Sequence, residues 1–178
     1  MKTTTPIAFD PRRTARRGAL PVILLVASVA MAVAWLTPAT AAGQDVPFKA
    51  RSSGTPAWTS PTTVETHGTG TATGVGRFVD SGFVVLSAAA PGCPGGGLGL
   101  PHVHTETLTA VDGGKLVLRL VGLACPTGPD SWHGTGTWTV VDGTGRFEGM
   151  TGHGTFEGSA DFAAGECELE FEGTISRP

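Results

Sequence analysis

Charge is scarce in this chain: only 15% of its 178 residues are Asp, Glu, Lys or Arg, and tyrosine is absent. Low charge together with abundant Thr and Gly argues against a helical bundle, because Thr loses χ1 freedom in a helix and Gly gives up the most backbone entropy. The 27 glycines lack the three-residue period of collagen. An apolar fraction of 40% is too high for a chain disordered throughout. Familiar catalytic signatures are missing as well. No Gly-x-Ser-x-Gly turn exposes a nucleophilic serine. The run Gly95-Gly96-Gly97-Leu98-Gly99 lacks the Lys and the following helix of a phosphate-binding loop, and reads as a flexible loop.

Positive charge is concentrated at the start. Residues 1–19 carry Lys2, Arg12, Arg13, Arg16 and Arg17 against Asp10, and the 17 residues from Leu20 to Leu36 then run without a charge. Ala39-Thr40-Ala41 fits the small-x-small rule of a signal-peptidase site, so export with cleavage after Ala41 or Ala42 is expected. An uncleaved anchor is the alternative, since the apolar run approaches the ~20 residues that span a bilayer. Pro38 and the small-residue tail favour cleavage, and hence no stable membrane insertion afterwards. The expected organisation is a signal peptide over 1–41, then a strand and a Pro/Ser/Thr-rich segment over 42–62. The barrel body follows over 63–178, its first strand already beginning at Val46.

Setting residues 1–41 aside removes five of the 12 Lys+Arg and one of the 15 Asp+Glu, which leaves seven against 14 and a net charge of −7. Such a domain repels phosphate backbones, so nucleic acid is excluded as a partner. All five His and all three Cys fall in the remainder, where an extracytoplasmic, oxidising compartment permits disulfides.

That remainder reads as short alternating runs separated by turn-formers. Candidate strands are Val46–Arg51, Thr63–Thr71, Phe78–Ser87, His102–Ala110, Lys115–Ala124, Trp132–Val141, Gly152–Phe162 and Cys167–Ser176. Asp112-Gly113-Gly114, Asp142-Gly143-Thr144-Gly145 and Ala163-Ala164-Gly165-Glu166 supply hairpin turns. In the last strand Cys167, Leu169 and Phe171 share one face and Glu168, Glu170 and Glu172 the other, as a period of two requires. Eight short strands predict an all-β, closed antiparallel up-and-down barrel, which abolishes sheet edges. A two-sheet sandwich is left open. The segment His67-Gly68-Thr69-Gly70-Thr71 recurs as His133-Gly134-Thr135-Gly136-Thr137, which either duplication or shared strand chemistry explains.

Several of these motifs carry a family likeness. They are Val46-Pro47-Phe48-Lys49, Gly68 to Thr73 with Gly76-Arg77-Phe78, Gly143-Thr144-Gly145-Arg146-Phe147, and the ending Phe171 to Ser176. Over Val46 to Pro178 the chain resembles small exported bacterial proteins with an allene oxide cyclase-like β-barrel, related in shape to plant dirigent proteins. Asp142 stands where that group usually has Gly, a change that suits a tight turn equally well. The resemblance implies the barrel and export. It carries over no catalytic residue, because the shared motifs are turns and strands.

One constellation has metal-ligand chemistry. His102-x-His104-x-Glu106 puts three donors on one strand face, and a meander brings His133 to the same barrel end. These four are candidate metal ligands. The competing expectation is that the trio on the strand is a solvent-facing polar row, with no metal and no cofactor. The same meander gathers the three cysteines at that end. A Cys93–Cys125 disulfide with Cys167 free is predicted, since a zinc site lacks any Cys-x-x-Cys spacing. Glu168, Glu170 and Glu172 read as a solvated face rather than paired glycosidase acids. Val117, Val121 and Leu123 form an outer apolar strip that would demand a partner. The functional expectation is a secreted, non-enzymatic barrel that binds a small apolar ligand. Its alternatives are a cyclase- or isomerase-like enzyme using the same pocket, and a structural or interaction protein with a filled core, associating with itself as a trimer.

Overall fold

The computed structural model describes residues 44–178; the leader expected over residues 1–41 lies outside them. Alternating side chains broken by Gly-containing turns give nine strands. These are β1 (Val46–Ser60), β2 (Thr63–Ala72), β3 (Gly76–Leu86), β4 (Ala90–Cys93), β5 (Gly97–Ala110), β6 (Lys115–Pro126), β7 (Ser131–Gly143), β8 (Thr151–Asp161) and β9 (Glu166–Ser176). The helical pieces among the described residues are two 3-10 turns, Pro94–Gly96 and Gly145–Phe147. No helix among these residues is long and apolar enough to cross a membrane. Consecutive strands pair antiparallel, with β3 passing over β4 to reach β5, and β9 returns to β1. Eight strands therefore close into an up-and-down barrel, and β4 is an extra strand on its rim.

Two segments differ from expectation. Ser52–Pro61, read as a segment preceding the barrel body, is for the most part the far half of β1, pairing with β2 from Ala50 to Ser60. Closure explains the extension, because β2 needs a partner along its whole length. Pro56 is tolerated there because β9 pairs with β1 only as far as Gly54, which leaves the rest of β1 an edge. The Gly95–Gly99 run is also not a loop throughout. Its last part, Gly97–Gly99, is strand, folded back against Ala90–Cys93.

The barrel interior divides along its axis. At the end where β1 starts and β9 finishes, Phe48, Leu108, Leu116, Trp138, Phe147 and Phe171 are buried in a single core. Trp138 meets Phe48 edge-on with ring centres 5.1 Å apart. Its indole N–H donates to the carbonyls of Thr155 (3.0 Å) and Glu172 (3.2 Å), so the polar atom is satisfied. The turn Gly145–Phe147 plugs this end with Phe147. Arg146 pins the plug by donating to the Val75 carbonyl and pairing with Asp112 at 3.0 Å. Glycines bring the walls close: at Gly136 and Gly154 a Cβ would strike the carbonyls of Val121 and Glu172 on the neighbouring strands.

The outer wall is also divided. Glu168, Glu170 and Glu172 are exposed as expected, and two of them pair across the β1–β9 seam, Glu172 with Lys49 at 2.8 Å and Glu170 with Arg51. On the opposite side Val121 lies in register with Val103, and Val103 with Val85, in a largely exposed apolar row. Val117 and Leu123 are half-buried beside it.

Candidate functional site

Strand β5 carries the candidate site. His102, His104 and Glu106 occupy alternate positions with Leu100, Leu108 and Ala110, so the period of two gives all six the same face. Leu108 and Ala110 enter the filled core, and the polar trio consequently faces the barrel interior. The expectation of a solvent-facing row is overturned: His104 is 3% exposed and Glu106 0%. His133 is corrected too. It shares the barrel end with His102 but its neighbours Trp132 and Gly134 take the inward positions, and its imidazole lies 3.5 Å from Glu157 on the outside. Among the described residues no group of three or more His, Cys, Asp or Glu stands where it could hold a metal ion.

Strands β2 and β3 complete the cluster. Gly82 pairs with Glu106 on one side and with Thr66 on the other. A Cβ on Gly82 would collide with Glu106 Oε2, Thr66 Oγ1 and His104 Nε2, so three polar atoms converge over one glycine. Asp80, the preceding inward residue of β3, lies over Gly68, with the buried Ser52 hydroxyl beside it. Asp80, Thr66 and Gly82 were not picked out from sequence. The signal for Asp80 and Gly82 was the alternation Phe78-x-Asp80-x-Gly82-x-Val84, which has apolar residues at both ends.

These groups are short of partners. His104 Nε2 approaches Glu106 Oε2 to 2.6 Å, but the pair is a proximity without hydrogen-bond geometry. Both Glu106 oxygens, His104 Nε2, His102 Nδ1, Thr66 Oγ1 and Asp80 Oδ1 have no hydrogen-bond partner in the protein. Every Lys and Arg among the described residues is exposed, so no interior cation offsets the carboxyls. Burial, which penalises the charged form, pushes Glu106 up to about 8. Burial followed by the charge of Glu106 raises Asp80 to about 6, against the pull of the Ser52 hydroxyl. Burial lowers His104 to about 4 and also lowers His102. Near pH 7 the floor thus holds two neutral imidazoles and a carboxyl pair, Asp80 and Glu106, that keeps a proton between its two members.

Above this floor the open half of the barrel holds a cavity of about 120 Å³, walled by Trp58, Val84, Leu100, Trp132, Phe156 and Leu169. His102, His104 and Thr66 line its inner end. The volume compares with the ~150 Å³ apolar cavity known to admit benzene. At the rim Trp58 stacks on Phe162 with centres 5.0 Å apart. Cys93 and Cys125 are bonded, with Cα atoms 5.7 Å apart, and tie β4 to the end of β6. Cys167 is free and lies on the cavity wall, where burial pushes its thiol up to about 11 and keeps it a poor nucleophile. Compared with models of protein families and with curated proteins, the chain matches none. The functional reading therefore rests on the geometry of this cavity.

Proposed function

We propose that the protein is an exported binding module that takes a small, largely apolar molecule into the open half of its barrel. One observation carries the reading: an apolar cavity that ends on buried polar atoms with no protein partner. Apolar walls supply affinity through area removed from water, while a few convergent polar groups fix orientation. The cavity weighs against a structural protein with a wholly filled core. Isothermal titration with 2-phenylethanol tests the proposal. Binding of about millimolar strength or tighter is expected. Ala160→Phe, which fills the cavity from the β8 wall, should abolish it; absence of binding to the wild-type chain overturns the reading.

A second reading, a cyclase- or isomerase-like enzyme, is favoured by the protonated carboxyl beside a neutral imidazole. Glu106 would give a proton to a bound molecule and His104 would take one. Export is supported by the basic and apolar start of the chain and by the Cys93–Cys125 bond. N-terminal sequencing of exported material should begin at Ala42 or Gly43, whereas intact Met1 in the membrane fraction refutes cleavage. The barrel architecture accords with the allene oxide cyclase-like resemblance, and the Val85–Val103–Val121 row suits self-association.

A further inference from the structure

The floor of the cavity is rich in acceptors and poor in donors. Thr66, the two neutral imidazoles and the proton kept by the carboxyl pair can each give at most one hydrogen, against two carboxyl groups, a hydroxyl oxygen and two imidazole nitrogens that accept. No lysine or arginine among the described residues reaches the interior to supply more. Two of the groups at the cavity's inner end, Thr66 and His104, are more than nine-tenths buried and present unpartnered polar atoms there. The walls add electron-rich faces from Trp58, Trp132 and Phe156, which attract a cation as well as an apolar body. A ligand carboxylate would meet the negative charge of the Asp80–Glu106 pair and gain no cation.

From this donor deficit and the absence of interior cations, we propose that the cavity selects small organic amines, the ammonium group seated against Thr66 and His104 over the Asp80–Glu106 floor. This rests on the binding reading above and names the class of ligand. An ammonium brings three N–H donors and one positive charge, which together match what the floor lacks. The aromatic or alkyl remainder fills the cavity.

Three probes of matched size separate the alternatives: 2-phenylethylammonium, 2-phenylethanol and 3-phenylpropanoate, each titrated into the full-length barrel and followed by tryptophan fluorescence and calorimetry. The ammonium is expected to bind about ten-fold or more tighter than the alcohol, as a charge-assisted hydrogen bond allows, and the carboxylate not at all. In the double variant Asp80→Asn with Glu106→Gln, which removes the pair's charge, the preference for ammonium over alcohol should shrink toward unity while alcohol binding persists, which also shows that the variant barrel is folded. Equal affinity of alcohol and ammonium in the wild type overturns this inference and leaves the binding module standing. Tighter binding of the carboxylate, or a preference unchanged in that double variant, overturns it as well. Failure of all three probes overturns both.

Discussion

The two halves of the barrel interior are threaded by the same strands and solve opposite problems. On β5 the inward face passes from Leu100, His102 and His104 in the open half, through Glu106, to Leu108 and Ala110 in the filled half. In the filled half aromatic and leucine side chains occupy the space, and the one polar atom of Trp138 is satisfied twice over. In the open half small residues such as Gly134, Gly158 and Ala160 line the wall, and from there down to mid-barrel six buried polar atoms go unpartnered. Packing is completed in the first half and left open in the second. A mid-barrel layer of Ser52, Thr66, Asp80 and Glu106 marks the border, where burial is complete but apolar packing is not.

Core deletion is the severest way to break this comparison. Trp138→Ala removes the centre of the filled half and is expected to destabilise by about 3–5 kcal/mol, read from urea denaturation. Val84→Ala on the cavity wall should cost well under half as much, and equal losses would show that the halves do not divide the work. Next comes the rim. Cys93→Ser with Cys125→Ser opens a loop with a sequence separation of 32, which is expected to lower stability by about 3–4 kcal/mol under non-reducing conditions.

The polar layer gives a smaller, pH-dependent effect. Glu106 is raised to about 8 from an ordinary carboxylate value, so the folded chain keeps a proton that the unfolded chain has released, and stability falls as pH rises towards 8. Asp80 acts in the same sense up to about 6. His104, lowered to about 4, acts oppositely below the ordinary imidazole value, as does His102, while Cys167 titrates far higher. Between pH ~6.5 and ~8 Glu106 dominates, and a fall of about 1–2 kcal/mol is expected from one proton's linkage. Glu106→Gln should flatten that segment of the profile; an unchanged slope would assign it elsewhere. Smallest of all is the outer seam. Lys49→Ala removes an exposed ion pair and should leave the denaturation midpoint unmoved within error.

Much of the filled half was legible from alternation alone. Cys167, Leu169 and Phe171 set the phase of β9, the leucines at 116, 118 and 120 set that of β6, and Asp112-Gly113 marked their hairpin turn. The meander then placed the three cysteines at one end, and the Cys93–Cys125 bond followed. The site was half legible. A period of two put His102, His104 and Glu106 on one face, yet polarity suggested solvent, while Leu100 and Leu108 at the same parity pointed inward. Asp80 and Thr66 sit far from that trio in sequence, and only the pairing of β2 with β3 and of β3 with β5 brings them together. Closure likewise hid the length of β1, because Gly54 and Pro56 have poor strand propensity, which the partner strand overrides.

The seam between β1 and β9 has a consequence in time. It joins Val46 to Ile175 and Gly54 to Cys167, whereas every other junction in the barrel links strands close in sequence. Hairpins form in microseconds, but a contact across the whole domain waits for long-range search and for the last strand to exist. Phe48 cannot meet Trp138 in its finished setting until β9 has arrived between β1 and β8. A ribosome that withholds β9 thus keeps the barrel an open, curling sheet. The tryptophan buried at 138 would report the moment of closure as a single late change in emission.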